Sequence, residues 1–215
     1  LSKDYPDNSL LFNIRGACYA GLGQQEIAIQ NYERALSIKP EYAKAHYNLG
    51  NVLQELGKLH DSVKSYENSI AFEPENAQAH NNLAIVLREL GKLEEAEANC
   101  RKAIVLDPEY AEVYCSLSVI LYANGDLNSA LKSMEKAYSI NPKLKIIKLL
   151  LAVLKARKTH KTSKVSVTNI RSISNPLILN KAVEQELIAK LYEMKSLELD
   201  KTKDPGWILS PYNFE

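Results

Sequence analysis

Residues 43–76 read AKAHYNLGNVLQELGKLHDSVKSYENSIAFEPEN, and the spacing inside this stretch decides the fold. His46, Leu49, Gly50 and Leu53 recur at helical spacing. Gly57 interrupts with Lys58 beside it, and Leu59, Ser62, Val63, Tyr66, Ser69 and Ile70 then recover the period up to Pro74. The stretch predicts two helices joined at a glycine that takes the left-handed turn conformation without a Cβ penalty.

The pattern extends in both directions. Pro40, Pro74, Pro108 and Pro142 lie 34 residues apart, a period that means a stacked repeat. Aligned on them, the chain divides into residues 9–42, 43–76, 77–110 and 111–144. The breaker recurs as Gly23, Gly57, Gly91 and Gly125. Small residues recur where the two helices must approach, at Gly16, Gly50, Ala84 and Ser118 in the first helix and Ala28, Ser62, Ala96 and Ala130 in the second. Larger packing residues fill two further registers: Tyr19, Leu53, Leu87 and Leu121, then Tyr32, Tyr66, Cys100 and Met134.

Small, aromatic, Gly, Ala and Pro positions recurring in phase through residues 9–144 resemble the tetratricopeptide repeat. The resemblance implies an all-α, right-handed superhelical solenoid of antiparallel helix pairs, with a C-terminal helical cap and tail. It also implies a concave groove lined by the first helix of each unit. Arg15 stands where the family usually has Leu, and Ser62 and Ser69 where Ala is common, so the first unit is expected to be a frayed or truncated end.

First-helix positions not spent on packing are the groove candidates. They are Lys44, Tyr47, Asn48, Asn51, Gln54 and Glu55 in the second unit, Gln78, Asn81, Asn82, Arg88 and Glu89 in the third, and Glu112, Cys115, Ser116 and Tyr122 in the fourth. Asn48 and Asn82 recur in phase, and a side-chain amide both donates and accepts. Such a ladder grips the backbone of an extended peptide, and it resembles the asparagine ladder of O-linked N-acetylglucosamine transferases. The carboxylate clamp of chaperone-binding family members is not matched. Its basic positions hold Gln78 and Asn82, or Glu112 and Ser116, and Glu112 repels a carboxylate.

The 215 residues are 46% hydrophobic and 25% charged, with a net charge of +1, which is an ordinary soluble composition. No apolar run is long enough to span a bilayer, and the start does not resemble a secretion signal, so a cytoplasmic location is expected. Cys18, Cys100 and Cys115 fall on helix positions without metal-ligand spacing and are expected to be reduced, buried thiols. His46 and His80 occupy one repeat position and read as packing residues; no Cys or carboxylate recurs beside them to make a metal pair. No phosphate loop, HExxH, GxSxG or HxD motif occurs, and Glu94, Glu95 and Glu97 form a solvated helix face. No catalytic constellation, metal or cofactor is expected.

Around the repeats, residues 1–8 are a lead-in and 145–158 a capping helix. Residues 159–180 are a basic, polar linker, 181–199 a helix capped by Asn180, and 200–215 a tail that could begin a further domain. From Lys143 to Arg171 there are nine Lys or Arg and no acid. The segment lacks aromatics to stack on bases, so nucleic acid and membrane are disfavoured partners. Apolar residues from Ile146 to Leu154 spread around most of their helix, which suggests a covered surface and raises self-association as a third reading. The leading expectation is a protein-interaction scaffold holding a partner segment in the groove. Its rival is the substrate-recruiting arm of a larger transferase or oxygenase, since residues 175–214 weakly resemble the lead-in to oxygenase-like domains fused to such arrays.

Overall fold

A computed structural model describes residues 8–143 and 145–159. They form α1 (Ser9–Gly21), α2 (Gln25–Ile38), α3 (Ala43–Glu55), α4 (Leu59–Phe72), α5 (Ala77–Glu89), α6 (Leu93–Leu106), α7 (Ala111–Ala123), α8 (Leu127–Ile140) and α9 (Lys145–Thr159). Each helix packs mainly on its chain neighbours, so the repeats build an all-α solenoid of helix pairs. The segments read as linker, C-terminal helix and tail, residues 160–215, lie outside the described residues.

Two kinds of turn set the 34-residue period. Within each pair the turn glycine has positive φ, 71° at Gly57 for example. There the Lys58 amide reaches back to the Leu53 carbonyl at 2.9 Å and the Gly57 amide to that of Gln54, closing the helix end with a left-handed cap. Between pairs, the residue before each proline is pushed out of the helical region by the ring that follows. Lys39, Glu73, Asp107 and Asn141 all sit near φ −130° to −140° and ψ 80° to 93°. The proline carbonyl is then tied to the next helix: His46 Nε2 lies 2.8 Å from Pro40 O, His80 Nε2 3.2 Å from Pro74 O, and Tyr114 Oη donates to Pro108 O at 3.2 Å. His46 and His80 therefore pack, with His46 stacked on Phe72, and also bond the inter-repeat turn.

The helix-pair interface is tuned by size. A Cβ on Gly16 would stand 2.6 Å from the Tyr32 ring, and one on Gly50 2.8 Å from the Tyr66 ring. Where the second helix carries Cys100 or Met134, the first carries Ala84 or Ser118 at the same phase. Large rings demand glycine opposite; smaller groups release that demand. The serines at these sites are internally bonded: Ser62 Oγ donates to Gly50 O at 2.8 Å, and Ser118 Oγ to Ala130 O at 2.7 Å.

Three details depart from the sequence reading. Cys18 is exposed, and Cys100 and Cys115 are buried thiols; Cys18 shares the phase of Val52, Val86 and Ile120, which are buried in the later repeats. Arg15 is exposed with its guanidinium over the Tyr19 ring, on a side of α1 that also exposes Leu10 and Ile14, and α1 is a regular helix of 13 residues. On α9, Ile147 and Leu154 are buried against the fourth unit, whereas Lys148, Ala152 and Lys155 are exposed. Those three share the phase of His46, Gly50 and Leu53, the side on which every other first helix receives its partner. Among the described side chains, this side of α9 thus exposes two lysines and an alanine, and Lys155 pairs with Glu135 of α8 at 3.4 Å.

Candidate functional site

Each first helix touches the first helix of the next unit, α1 to α3, α3 to α5 and α5 to α7. This close-set layer is where the groove candidates fall, and its polar side chains are joined from helix to helix. Asn48 Nδ2 donates to Asn13 Oδ1 of α1 at 3.0 Å. Asn82 Nδ2 donates to both Tyr47 Oη and Asn51 Oδ1 of α3, each at 3.1 Å. Tyr66 reaches through from α4 to donate to Asn51 Oδ1 at 2.7 Å and to Gln54 Oε1 at 3.2 Å. Asn81 Nδ2 contacts Asn82 Oδ1 at 3.4 Å. Gln25 at the start of α2 donates to Glu55 at 3.3 Å.

Burial grades this surface. Lys44, Glu55 and Gln78 are exposed at its edges. Tyr47, Asn48, Asn51, Gln54 and Asn82 are half-buried at its centre. Asn81, Cys115 and Ser116 are buried; Ser116 bonds the Glu112 carbonyl of its own helix at 3.1 Å, and the Cys115 thiol is pushed up to about 12 by burial. Arg88 and Glu89 form a largely covered pair at 4.0 Å, each side chain 11% exposed. Burial raises the Glu89 carboxyl, against the pull of Arg88 and a hydrogen bond from Gln54; burial likewise lowers Arg88, against the pull of Glu89.

Among the candidates, the structure joins Tyr47, Asn48, Asn51, Gln54, Asn81, Asn82, Arg88 and Glu89 into one central cluster. Lys44, Gln78 and Glu112 stand outside that cluster. Sequence reasoning missed three members. Asn13 shares the phase of Tyr47 and Asn81, so the repeat alignment contained the signal. Tyr66 and Tyr110 read in the sequence as packing or turn residues. Burial holds the Tyr66 hydroxyl well above its ordinary value, and Tyr110, bonded to Asn81, is pushed up to about 12 by burial. Both hydroxyls therefore stay neutral donors and acceptors at physiological pH.

The cluster holds neighbouring amides and phenols, which suits recognition of peptide groups. Among the described residues no group of His, Cys, Asp and Glu is placed to hold a metal ion, and no helix is long and apolar enough to cross a membrane.

Comparison with known proteins agrees with this architecture. Family models described as TPR repeat or tetratricopeptide repeat match residues 16–57, 47–111 and 111–144. Among curated proteins, the peroxisomal targeting signal receptor of Candida glabrata is 40% identical over 55 residues, 26% of this chain and 9% of the receptor. That of Saccharomyces cerevisiae is 40% identical over 52 residues, 24% of this chain and 8% of the receptor. The chain thus matches less than a tenth of the length of these relatives. Among solved structures, YrrB, described as a TPR protein with an unusual peptide-binding site, superposes with a TM-score of 0.65 at 17% identity, over 89% of this chain and 95% of its own. MamA superposes at 0.63 and 22% identity, over 66% and 83%, and MamA of Desulfovibrio magneticus RS-1 at 0.64 and 16%, over 90% and 97%. At these identities the likeness is one of fold.

Proposed function

The chain belongs to the tetratricopeptide repeat family, and from that premise we propose that it is a protein-interaction scaffold whose first-helix layer holds an extended segment of a partner protein. The observation that carries this reading is the unspent hydrogen-bonding capacity of the central amides. Asn51 Oδ1 already accepts from Tyr66 and Asn82, which turns its Nδ2 to an outside acceptor. Asn48 spends its Nδ2 on Asn13, which leaves its Oδ1 for an outside donor. An acceptor at Asn48 and a donor at Asn51, three residues apart on α3, fit an amide and a carbonyl of an extended backbone.

The name of the curated relatives, receptors for a targeting signal, supports a segment of another protein as the ligand. The peptide-binding site named for YrrB supports a peptide. The enzyme-arm reading gains no such support. Selection of a displayed random dodecapeptide library on the full chain supplies a probe. Titration of the recovered peptide into Asn48→Ala and Asn51→Ala should weaken binding by about 1–3 kcal/mol in total. The control Glu67→Ala, on the exposed side of α4, should bind as the parent does. Equal affinity for all three variants contradicts the reading.

A further inference from the structure

The first-helix layer changes chemistry along its length. At one repeat phase it carries Ile14, Asn48, Asn82, Ser116 and Leu150, and three residues on it carries Ala17, Asn51, Ile85, Val119 and Val153. Amides stand at both positions in α3 and at one in α5; in α9, as in α1, both are apolar. From α3 to α9 the face therefore passes from polar to apolar.

At the α9 end there is a recess. Val119 and Tyr122 of α7 and Leu150 and Val153 of α9 form its walls, and Met134 and Leu154 its floor, around a cavity of about 40 Å³. The wall residues are half-buried, whereas Met134 and Leu154 are 1% and 6% exposed. Leu150 packs in part against the buried cluster that Ile147 and Leu154 join, and both it and Val153 stay half-buried. Neither is in phase with Lys148, Ala152 and Lys155, which are exposed.

The geometry points to an anchor site here for one small aliphatic side chain of the segment held by the amides. This rests on the peptide-groove reading and adds specificity to it. The recess continues the amide cluster in repeat phase, so a segment laid across α3 and α5 arrives at α7 and α9 without changing face. Amides hold any backbone, whereas an enclosed apolar recess selects a side chain. Two helix spacings separate the centres, about 20 Å, or roughly six extended residues. The favoured ligand therefore carries an apolar residue about six positions from the part gripped at Asn51 and Asn82.

The test uses the full chain and the peptide recovered from the dodecapeptide library, with fluorescence anisotropy as readout. Each apolar residue of the peptide is replaced by Ala in turn. The chain variants are Leu150→Asn and Val153→Asn, which install the residues that the array already holds at these phases in α3; melting curves check that both fold. One peptide position should cost the parent about ten-fold or more in affinity. The variants should lose that preference and bind the parent peptide and its Ala form alike. If the variants keep the preference while Asn51→Ala weakens binding, the anchor site is overturned and the groove reading stands. If Asn48→Ala and Asn51→Ala bind as the parent does, or if the parent selects no peptide, both are overturned.

Discussion

At the scale of single residues, side-chain volume across the helix pair is the controlling quantity. Gly16 faces Tyr32 with no space for a methyl group, so Gly16→Ala should cost about 1–3 kcal/mol in chemical denaturation. Adding Tyr32→Cys reproduces the Ala84 and Cys100 pairing. The double variant should then be more stable than the sum of the two single changes, as a double-mutant cycle will show. Thiol accessibility gives a second prediction. Cys18 is exposed, whereas Cys100 and Cys115 are buried with thiols pushed up to about 12 by burial. At pH 8 the native chain should release one equivalent of colour quickly with a thiol reagent, and all three only in denaturant. The recurring small positions were legible in the sequence because they repeat in phase. The match between Gly and Tyr was not, since it pairs two registers that only meet in space. Ser62 looked like a departure at an alanine position; its hydroxyl is spent on the Gly50 carbonyl, a partner no periodicity reveals.

At the scale of elements, helix ends and seams between repeats carry the account. Asp126 caps α8, accepting from the Ser129 amide at 3.0 Å, and hydrogen bonds from Ser129 hold its carboxyl below the usual range. A depressed folded value means stability present above the unfolded pKa and lost as pH falls through the folded one. Asp126→Ala should therefore lower the melting temperature at pH 7, with the deficit narrowing as pH falls below the ordinary carboxylate range. At the α3 to α5 seam, Asn82 bonds two residues of the preceding repeat. Asn82→Ala should cost about 1–2 kcal/mol of stability as well as affinity, so its binding loss must be read against its melting curve. Helix positions and their turns were legible from glycine and proline spacing alone. The candidate cluster was legible only in part: first-helix amides could be listed, but their internal partners could not. Tyr66 enters from a second helix, and Ser116 and Asn81 turn out buried, because facing depends on how adjoining repeats pack.

At the scale of the whole repeat array, each helix is supported chiefly by its neighbours in sequence, so stability should be highest where support comes from both sides. Native-state hydrogen exchange should be slowest in α5 to α7 and fastest toward α1 and α9; uniform protection would contradict a solenoid with neighbour-only coupling. The most direct test of the central claim reads the amides themselves. With the chain ¹⁵N-labelled and the recovered peptide titrated in, the side-chain Nδ2 resonances of Asn48, Asn51 and Asn82 should shift together and saturate at one affinity. Those of Asn99 and Asn128, on the second helices α6 and α8, should stay in place. Movement of Asn99 and Asn128 with the three first-helix amides unmoved would place the partner on the other layer and contradict the account.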